Sequence, residues 1–117
     1  MRANVVKEKS FDFAVKIVRL CQSLQQRREG RAIYEQLFKS GTSIGANIHE
    51  AQESQSKKDF IAKLQISIKE AAETEYWLKL MYHTDYINNQ VYEDLNKDCK
   101  ELLKLLTAII KSSKVAE

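Results

Sequence analysis

Hydrophobic residues recur along the chain at spacings of three and four, which is the period of an α-helix. The pattern occurs in four segments and predicts helices over about residues 10–26, 31–52, 56–85 and 89–113. Only a few residues separate successive segments, so neighbouring helices should run in opposite directions. The pattern therefore predicts an all-α, antiparallel up-and-down four-helix bundle. The fourth segment is the most regular, with one face formed by Tyr92, Leu95, Cys99, Leu102, Leu106 and Ile109.

Small polar residues mark where three of the helices are expected to begin. Ser10, then Ser54 or Ser56, and then Asn88 each precede an apolar periodic segment. Their side-chain oxygens can accept a hydrogen bond from a backbone N–H of the first turn. Asp59 would lie near the positive end of the third helix dipole. We therefore predict helix N-caps at these serine and asparagine positions.

Composition supports one folded domain over residues 1–117. The chain has no Pro and three Gly, with 44% hydrophobic and 30% charged residues, which suits a helical globular protein rather than a turn-rich β-sandwich. No run free of charge approaches the roughly 20 residues of a membrane span. The N-terminal residues become charged before a secretory core could form. We expect a cytoplasmic protein without membrane contact, in which Cys21 and Cys99 are buried thiols, with a disulfide as the alternative.

Charge is distributed unevenly along the chain. Residues 1–31 hold eight basic and three acidic side chains, a net of +5, whereas the remaining 86 residues hold 11 basic and 13 acidic ones, a net of −2. Such asymmetry can mark a nucleic-acid-binding face, although a modest basic excess can also serve only solubility. The candidate nucleic-acid-binding residues are Lys9, Lys16, Arg19, Arg27, Arg28 and Arg31.

The fourth helix carries a further row of basic residues. Lys97, Lys100, Lys104 and Lys111 could follow a phosphate backbone. Acidic residues alternate with them in the sequence and weaken this interpretation: Asp94, Asp98 and Glu101. An ordinary solvated helix face is the alternative.

Residues 40–48 are unusually small and polar for a helix. Gly41 and Gly45 are four residues apart, and a helix that tolerates two glycines usually needs a close approach of another backbone. A phosphate-binding loop is disfavoured because no strand precedes the glycines and Lys39 comes before them. We expect a polar ladder of hydrogen bonds between helices two and three, formed by Ser43, Asn47 and Glu50 on one helix and Glu70, Glu73, Thr74 and Trp77 on the other.

No catalytic or metal-binding motif is evident. A di-iron bundle needs Glu-x-x-His, and neither histidine has a Glu three residues before it. His49 and Glu53, with Glu50, could chelate a metal in principle, and Glu70 with Glu73 could form an acid/base pair. Solvated or hydrogen-bonded surface roles fit these side chains better. We therefore expect no enzyme activity, no metal and no cofactor.

Two runs of the sequence resemble a known bacterial family. The run 36–51, QLFKSGTSIGANIHEA, resembles the signature QL-x-x-S-x-x-SI-x-x-NI-x-EG, with Ala51 where Gly is usual. The second run extends from Asp59 to Leu78. Both are similar to the four-helix-bundle proteins named for intervening sequences in 23S rRNA genes, some of which carry a ribosomal-protein label. The resemblance spans all four predicted helices.

The resemblance implies a protomer that assembles into a ring, a homopentamer. A related protein is the accessory protein of diversity-generating retroelements, a basic pentameric barrel that engages a reverse transcriptase and nucleic acid. The resemblance brings no catalytic residue. Candidate structural or subunit-contact positions are the two glycines and the signature residues: Gly41, Ser43, Gly45, Asn47, Glu50, Glu73 and Trp77.

The width of the apolar face on the fourth helix also favours self-association. Leu103, Leu105 and Ile110 widen that face beyond one helix contact, and uncovered they would form an exposed apolar patch.

We expect a non-enzymatic oligomeric protein that binds RNA or a nucleic-acid-processing partner through the basic N-terminal helix and first loop. The alternative is a protein-interaction scaffold without nucleic-acid contact.

Overall fold

The computed structural model describes residues 2–115, with side chains from residue 4 onward. It contains α1 (Arg2–Arg27), α2 (Arg31–Ala51), α3 (Lys57–His83) and α4 (Asn89–Val115). No strand occurs in this range. The all-α class is confirmed, and the arrangement is consistent with a four-helix bundle.

The helices surround one apolar core. Each helix packs against the next along the chain, and α1 also packs against α4, whereas the diagonal pairs of the described helices make no close backbone contact. Burying each large aliphatic side chain here contributes roughly 1.5–3 kcal/mol. The longest dimension is 49 Å, which accommodates helices of about 27 residues at about 1.5 Å per residue. The largest fully buried side chains include Phe13, Ile17, Leu24, Leu37, Ile44, Ile48, Leu64, Leu78, Met81, Leu102 and Leu106.

The first helix begins earlier than predicted, and Ser10 is not its N-cap. α1 starts at Arg2, and Ser10 is buried with its hydroxyl donating to the Lys7 carbonyl oxygen at 3.0 Å. Val6 is also buried, so the apolar face continues one more turn toward the N-terminus. A serine whose hydroxyl bonds within its own helix is compatible with a helix interior. The sequence pattern missed this turn because charged residues surround Val6.

Two other predicted helix starts are confirmed. The Ser56 hydroxyl accepts from the Asp59 backbone N–H at 3.0 Å, so Ser56 rather than Ser54 caps α3. The Asn88 side-chain oxygen accepts from the Val91 N–H at 2.9 Å. These bonds satisfy backbone donors that a helix N-terminus leaves without intrahelical partners.

The wide apolar face of α4 is covered within the chain, contrary to expectation. Ile110 is buried, and Leu103 and Leu105 are half-buried against the core. The reason is that α4 contacts both α3 and α1, so two neighbours cover its face. Apart from Val115 at the end of α4, the most exposed large apolar side chains lie on other helices, and they include Phe11 at 67%, Tyr76 at 58%, Phe38 at 44% and Ile66 at 44%.

Candidate functional site

The glycines of α2 are the points where α1 comes closest. A Cβ atom added to Gly41 would lie 2.9 Å from Cγ1 of Ile17, and one added to Gly45 would lie 3.2 Å from the Ser10 carbonyl oxygen. The first distance is well below an ordinary carbon–carbon contact of about 3.5–4.0 Å, and the second is also tighter than most contacts that a real Cβ atom makes. The predicted close approach is therefore present, and the approaching helix is α1.

A buried polar ladder joins α2 to α3 as predicted, but of the predicted members only Thr74 takes part in it. The Ser67 hydroxyl donates to the Ile44 carbonyl oxygen at 2.9 Å, and the hydroxyl oxygens of Thr74 and Ser40 lie 2.9 Å apart. All three hydroxyl side chains are buried. Buried hydroxyls need such partners because desolvating an unpaired polar group costs free energy.

Ser43 and Asn47 make their hydrogen bonds within α2 instead. The Ser43 hydroxyl donates to the Lys39 carbonyl oxygen at 2.6 Å, and the Asn47 amide donates to the Ser43 carbonyl oxygen at 2.9 Å. Neither side chain bonds to Glu73 within the described residues, so the predicted bonds to Glu73 are wrong. The rotation of α2 directs Ser40 rather than Ser43 into α3, and helical Ser and Asn readily bond to carbonyls one turn back.

Trp77 is the one signature residue with a buried polar atom that has no hydrogen-bond partner among the described residues. That atom is the indole nitrogen. The ring packs edge-on against exposed Tyr76, with centroids 5.0 Å apart. Glu50, another signature residue, has its carboxylate 4.0 Å from the Lys63 ammonium.

Two of the six candidate nucleic-acid-binding residues form ion pairs with α4. Lys9 Nζ lies 2.8 Å from a carboxylate oxygen of Glu101. Lys16 Nζ lies 2.7 Å from Asp98 and 3.2 Å from Asp94. The hydrogen bond between Lys9 and Glu101 raises the pKa of Lys9 and lowers the pKa of Glu101. The hydrogen bond with Asp98 raises the pKa of Lys16.

Two more of the candidates have carboxylate partners near the first loop. Arg27 lies 3.8 Å from Glu29, and Arg31 lies 2.6 Å from Glu35 one turn along α2. Arg19 and Arg28 have no carboxylate within 4.0 Å among residues 4–115. The side chain of Arg2, which contributes to the basic excess, lies outside the described residues. Four of the seven basic side chains described in this N-terminal segment are therefore ion-paired, whereas Lys7, Arg19 and Arg28 are not.

An open groove runs along the outer surface between α1 and α2. One part, of about 1230 Å³, is lined by Phe11, Ala14, Thr42, Gly45 and Ala46 among others. A second part, of about 700 Å³, is lined by residues that include Val18, Gln22, Arg28 and Phe38. The small side chains form the floor and the two phenylalanines stand at its sides, so we call this surface the α1/α2 groove.

The reactive side chains are dispersed or buried. Within residues 4–115, no cluster of three or more His, Cys, Asp or Glu side chains could hold a metal ion. His49 and Glu53 are exposed. Partial burial, with the Glu73 charge as a smaller cause, raises the pKa of Glu70. None of the helices described is long and apolar enough to cross a membrane.

Both cysteines are free, buried thiols, as predicted. The Cys21 sulfur lies 3.5 Å from the Tyr34 carbonyl oxygen, and the Cys99 sulfur lies 3.3 Å from that of Ala71. Burial raises the pKa of Cys21 to about 11 and that of Cys99 to about 12. Thiols of this kind are poor nucleophiles, because the thiolate is the reactive form.

Comparison with known proteins places these features in a family. No curated protein matches the chain. A crystal structure of a protein of unknown function from the S23 ribosomal protein family of Bacteroides thetaiotaomicron superposes with a TM-score of 0.93 and 52% sequence identity, covering 95% of this chain and 99% of that one. The family model for the 23S rRNA-intervening sequence protein matches residues 2–108. The chain therefore belongs to the 23S rRNA-intervening sequence protein family.

Proposed function

We propose that this protein is a non-enzymatic scaffold that self-associates into a ring, with a homopentamer as the expected form. The observation that carries the proposal is the α1/α2 groove, in which Phe11 and Phe38 remain exposed beside a floor of small residues. Exposed aromatic side chains next to a concave surface are typical of protein contact sites. The homopentamer and a cytoplasmic location stay predictions from the sequence and its resemblance.

A closed ring needs two different surfaces on each protomer, because each subunit contacts the next head to tail. The second surface in this proposal is the outer face of α3, defined by Ile66, Tyr76 and Trp77. Ile66 and Tyr76 are exposed apolar side chains, and the half-buried Trp77 ring packs edge-on against Tyr76.

The proposed protomer is an antiparallel up-and-down bundle. Its support is that residue numbers rise along one helix as they fall along its neighbour. Ser40 approaches Thr74 while Ile44 approaches Ser67. In this arrangement both surfaces lie along the sides of the bundle, where neighbouring protomers of a ring can meet.

Light scattering coupled to size-exclusion chromatography tests the ring with Phe11→Ser and Tyr76→Ser. Each substitution removes one surface and should reduce the mass to that of the 13.6 kDa protomer. Mixing the two variants should give a heterodimer, because each supplies the surface that the other lacks. Val115→Ser, which removes an apolar side chain that is 79% exposed, is the control and should leave the assembly intact.

A wild-type monomer at micromolar concentration would overturn the self-association proposal. Two monomeric variants that form no heterodimer would overturn the head-to-tail arrangement. Full assembly by Phe11→Ser would exclude the α1/α2 groove as a contact surface. Because both side chains are exposed, thermal unfolding of the variant protomers should remain cooperative.

RNA binding through the first loop is the second candidate function. Its support is that Arg19 and Arg28 are exposed and lack carboxylate partners among the described residues. Replacing Arg27, Arg28 and Arg31 with Gln should weaken RNA binding and reduce its dependence on salt. Unchanged affinity and salt dependence would exclude this location.

A further inference from the structure

We propose that the outward face of α4 is a binding surface for the phosphate backbone of RNA. We call it the α4 lysine row and define it by Lys97, Lys104 and Lys111. The inference goes beyond self-association because it concerns a different helix and a different class of partner. It also differs in location from the first-loop candidate.

The acidic residues that alternate with these lysines in the sequence do not alternate with them on the surface. Asp94 and Asp98 turn toward α1, where both lie within 3.2 Å of Lys16 Nζ. Glu101 also turns toward α1, where it pairs with Lys9 at 2.8 Å. The ion pairs that neutralise Lys9 and Lys16 of α1 therefore also neutralise these three carboxylates of α4. On the remaining outward face of α4 the lysines outnumber the carboxylates, although exposed Glu93 lies one turn before Lys97.

The three lysines of the row share one side of the helix. They are seven residues apart, close to two helical turns, so each stands about 10.5 Å from the next along the axis. All three are exposed, and none has a carboxylate within 4.0 Å among residues 4–115. Lys100 lies on the same helix but pairs with Glu75 at 3.0 Å. The row thus presents three unpaired ammonium groups over about 21 Å.

A shallow depression lies along the row. It has a volume of about 690 Å³, extends from Lys97 to Ala108, and is lined by Lys97, Lys100, Glu101, Leu103, Lys104, Thr107 and Ala108. Three lysines and small or apolar side chains form most of the lining, and Glu101, its one carboxylate, pairs with Lys9 at 2.8 Å. An extended, regularly charged chain can lie along such a surface without displacing a paired carboxylate.

The chemistry of the row favours a nucleic-acid backbone over a specific acidic ligand. Lysine ammonium groups act as point charges toward phosphates and carry no base-reading geometry. The row contains no arginine fork and no aromatic platform for base stacking. We therefore expect electrostatic binding with little sequence preference and strong dependence on salt.

The position of the row is compatible with the proposed ring. α4 makes no close backbone contact with α2, and it contributes no residue to the α1/α2 groove. Assembly through that groove and the outer face of α3 would leave the outward face of α4 accessible. A ring would repeat the row on every subunit and so increase the avidity for a long RNA.

Fluorescence anisotropy with a labelled single-stranded RNA oligonucleotide tests the proposal across a salt series. The test variant replaces Lys97, Lys104 and Lys111 with Gln. Its matched control replaces Lys57, Lys58 and Lys69, which are exposed and also lack carboxylate partners within the described chain. Both variants lose three positive charges. The test variant should lose affinity about tenfold or more at low salt, and its log–log salt slope should fall by about 2, at roughly 0.7 per phosphate contact.

Equal losses in the test and control variants would overturn the site, because net charge alone would then explain binding. Loss only in the first-loop variant with Arg27, Arg28 and Arg31 replaced would assign RNA to that loop and overturn the α4 lysine row. Absence of RNA binding by the wild type, or equal α4-dependent affinity for polyglutamate, would overturn the assignment to RNA. A Lys→Arg triple variant preserves the charges and should retain binding, which controls for structural damage. Light scattering of the same samples measures self-association independently.

Discussion

Ile17 of α1 packs directly over Gly41 of α2, where a side chain at residue 41 would have no room. A Cβ atom there would lie 2.9 Å from Cγ1 and 3.0 Å from Cγ2 of Ile17. Ile17 is fully buried, so its side chain cannot move out into solvent. This contact sets how closely the two helices of the α1/α2 groove approach one another.

Gly41→Ala should therefore destabilise the protein, although alanine is the better helix former by about 1 kcal/mol. Overpacking a buried contact typically costs about 1–3 kcal/mol, so we expect a net loss of about 1 kcal/mol in the free energy of unfolding. Chemical denaturation measures it. In an Ile17→Ala background the same substitution should be neutral or stabilising, and equal destabilisation in both backgrounds would contradict the steric explanation.

Gly30→Ala should also destabilise, for a backbone reason. Gly30 has φ +66°, and a Cβ atom there would lie 3.0 Å from the Tyr86 ring. The left-handed conformation costs a non-glycine residue roughly 1–2 kcal/mol, and the ring contact adds to this cost. Arg28 has φ 57°, so Arg28→Gly is the opposite control and should not destabilise by more than about 0.5 kcal/mol. Similar unfolding midpoints for Gly30→Ala and the wild type would exclude the strain.

Acid should weaken the contact between α1 and α4. The hydrogen bond from Lys9 lowers the pKa of Glu101 below 4.5 in the folded protein. A carboxylate with a lowered folded-state pKa contributes stability above its unfolded pKa, and this contribution is lost as pH falls through the folded value. Glu101→Gln should therefore reduce stability near neutral pH, and its stability should converge with that of the wild type in acid, once Glu101 is protonated in the folded protein. Thermal melts across this pH range measure the effect, and the control Glu8→Gln should show no such convergence. A difference in stability between Glu101→Gln and the wild type that stays constant with pH would be inconsistent with the ion pair.

The two thiols should resist alkylation in the folded protein. With pKa values of about 11 for Cys21 and about 12 for Cys99, roughly one thiol in a thousand or fewer is ionised at pH 8. Mass spectrometry after iodoacetamide treatment should show little labelling without denaturant and two adducts after unfolding. Cys21, the less buried of the two, should react first. Rapid labelling of Cys99 under native conditions would contradict its buried position.

Much of the fold could be predicted from the sequence because helices are specified locally. The alternating spacing of Leu95, Cys99, Leu102 and Leu106 marks the buried face of α4, and these four residues are indeed buried. The capping side chains of Ser56 and Asn88 bond within three residues of themselves. The two glycines of α2 correctly indicated a close contact with another helix, but they did not indicate which helix makes it.

The roles of the polar and charged side chains depended on tertiary structure. Lys16 meets Asp98, which is 82 residues away, and no local pattern encodes that distance. Ser40 and Ser43 are both small and polar, yet only Ser40 faces α3, because packing of the whole core sets the rotation of α2. The period of the sequence determined which face of each helix is apolar. The register and rotation between helices, which arise from packing residues distant in sequence, decided which charges are neutralised and which remain free to bind a partner.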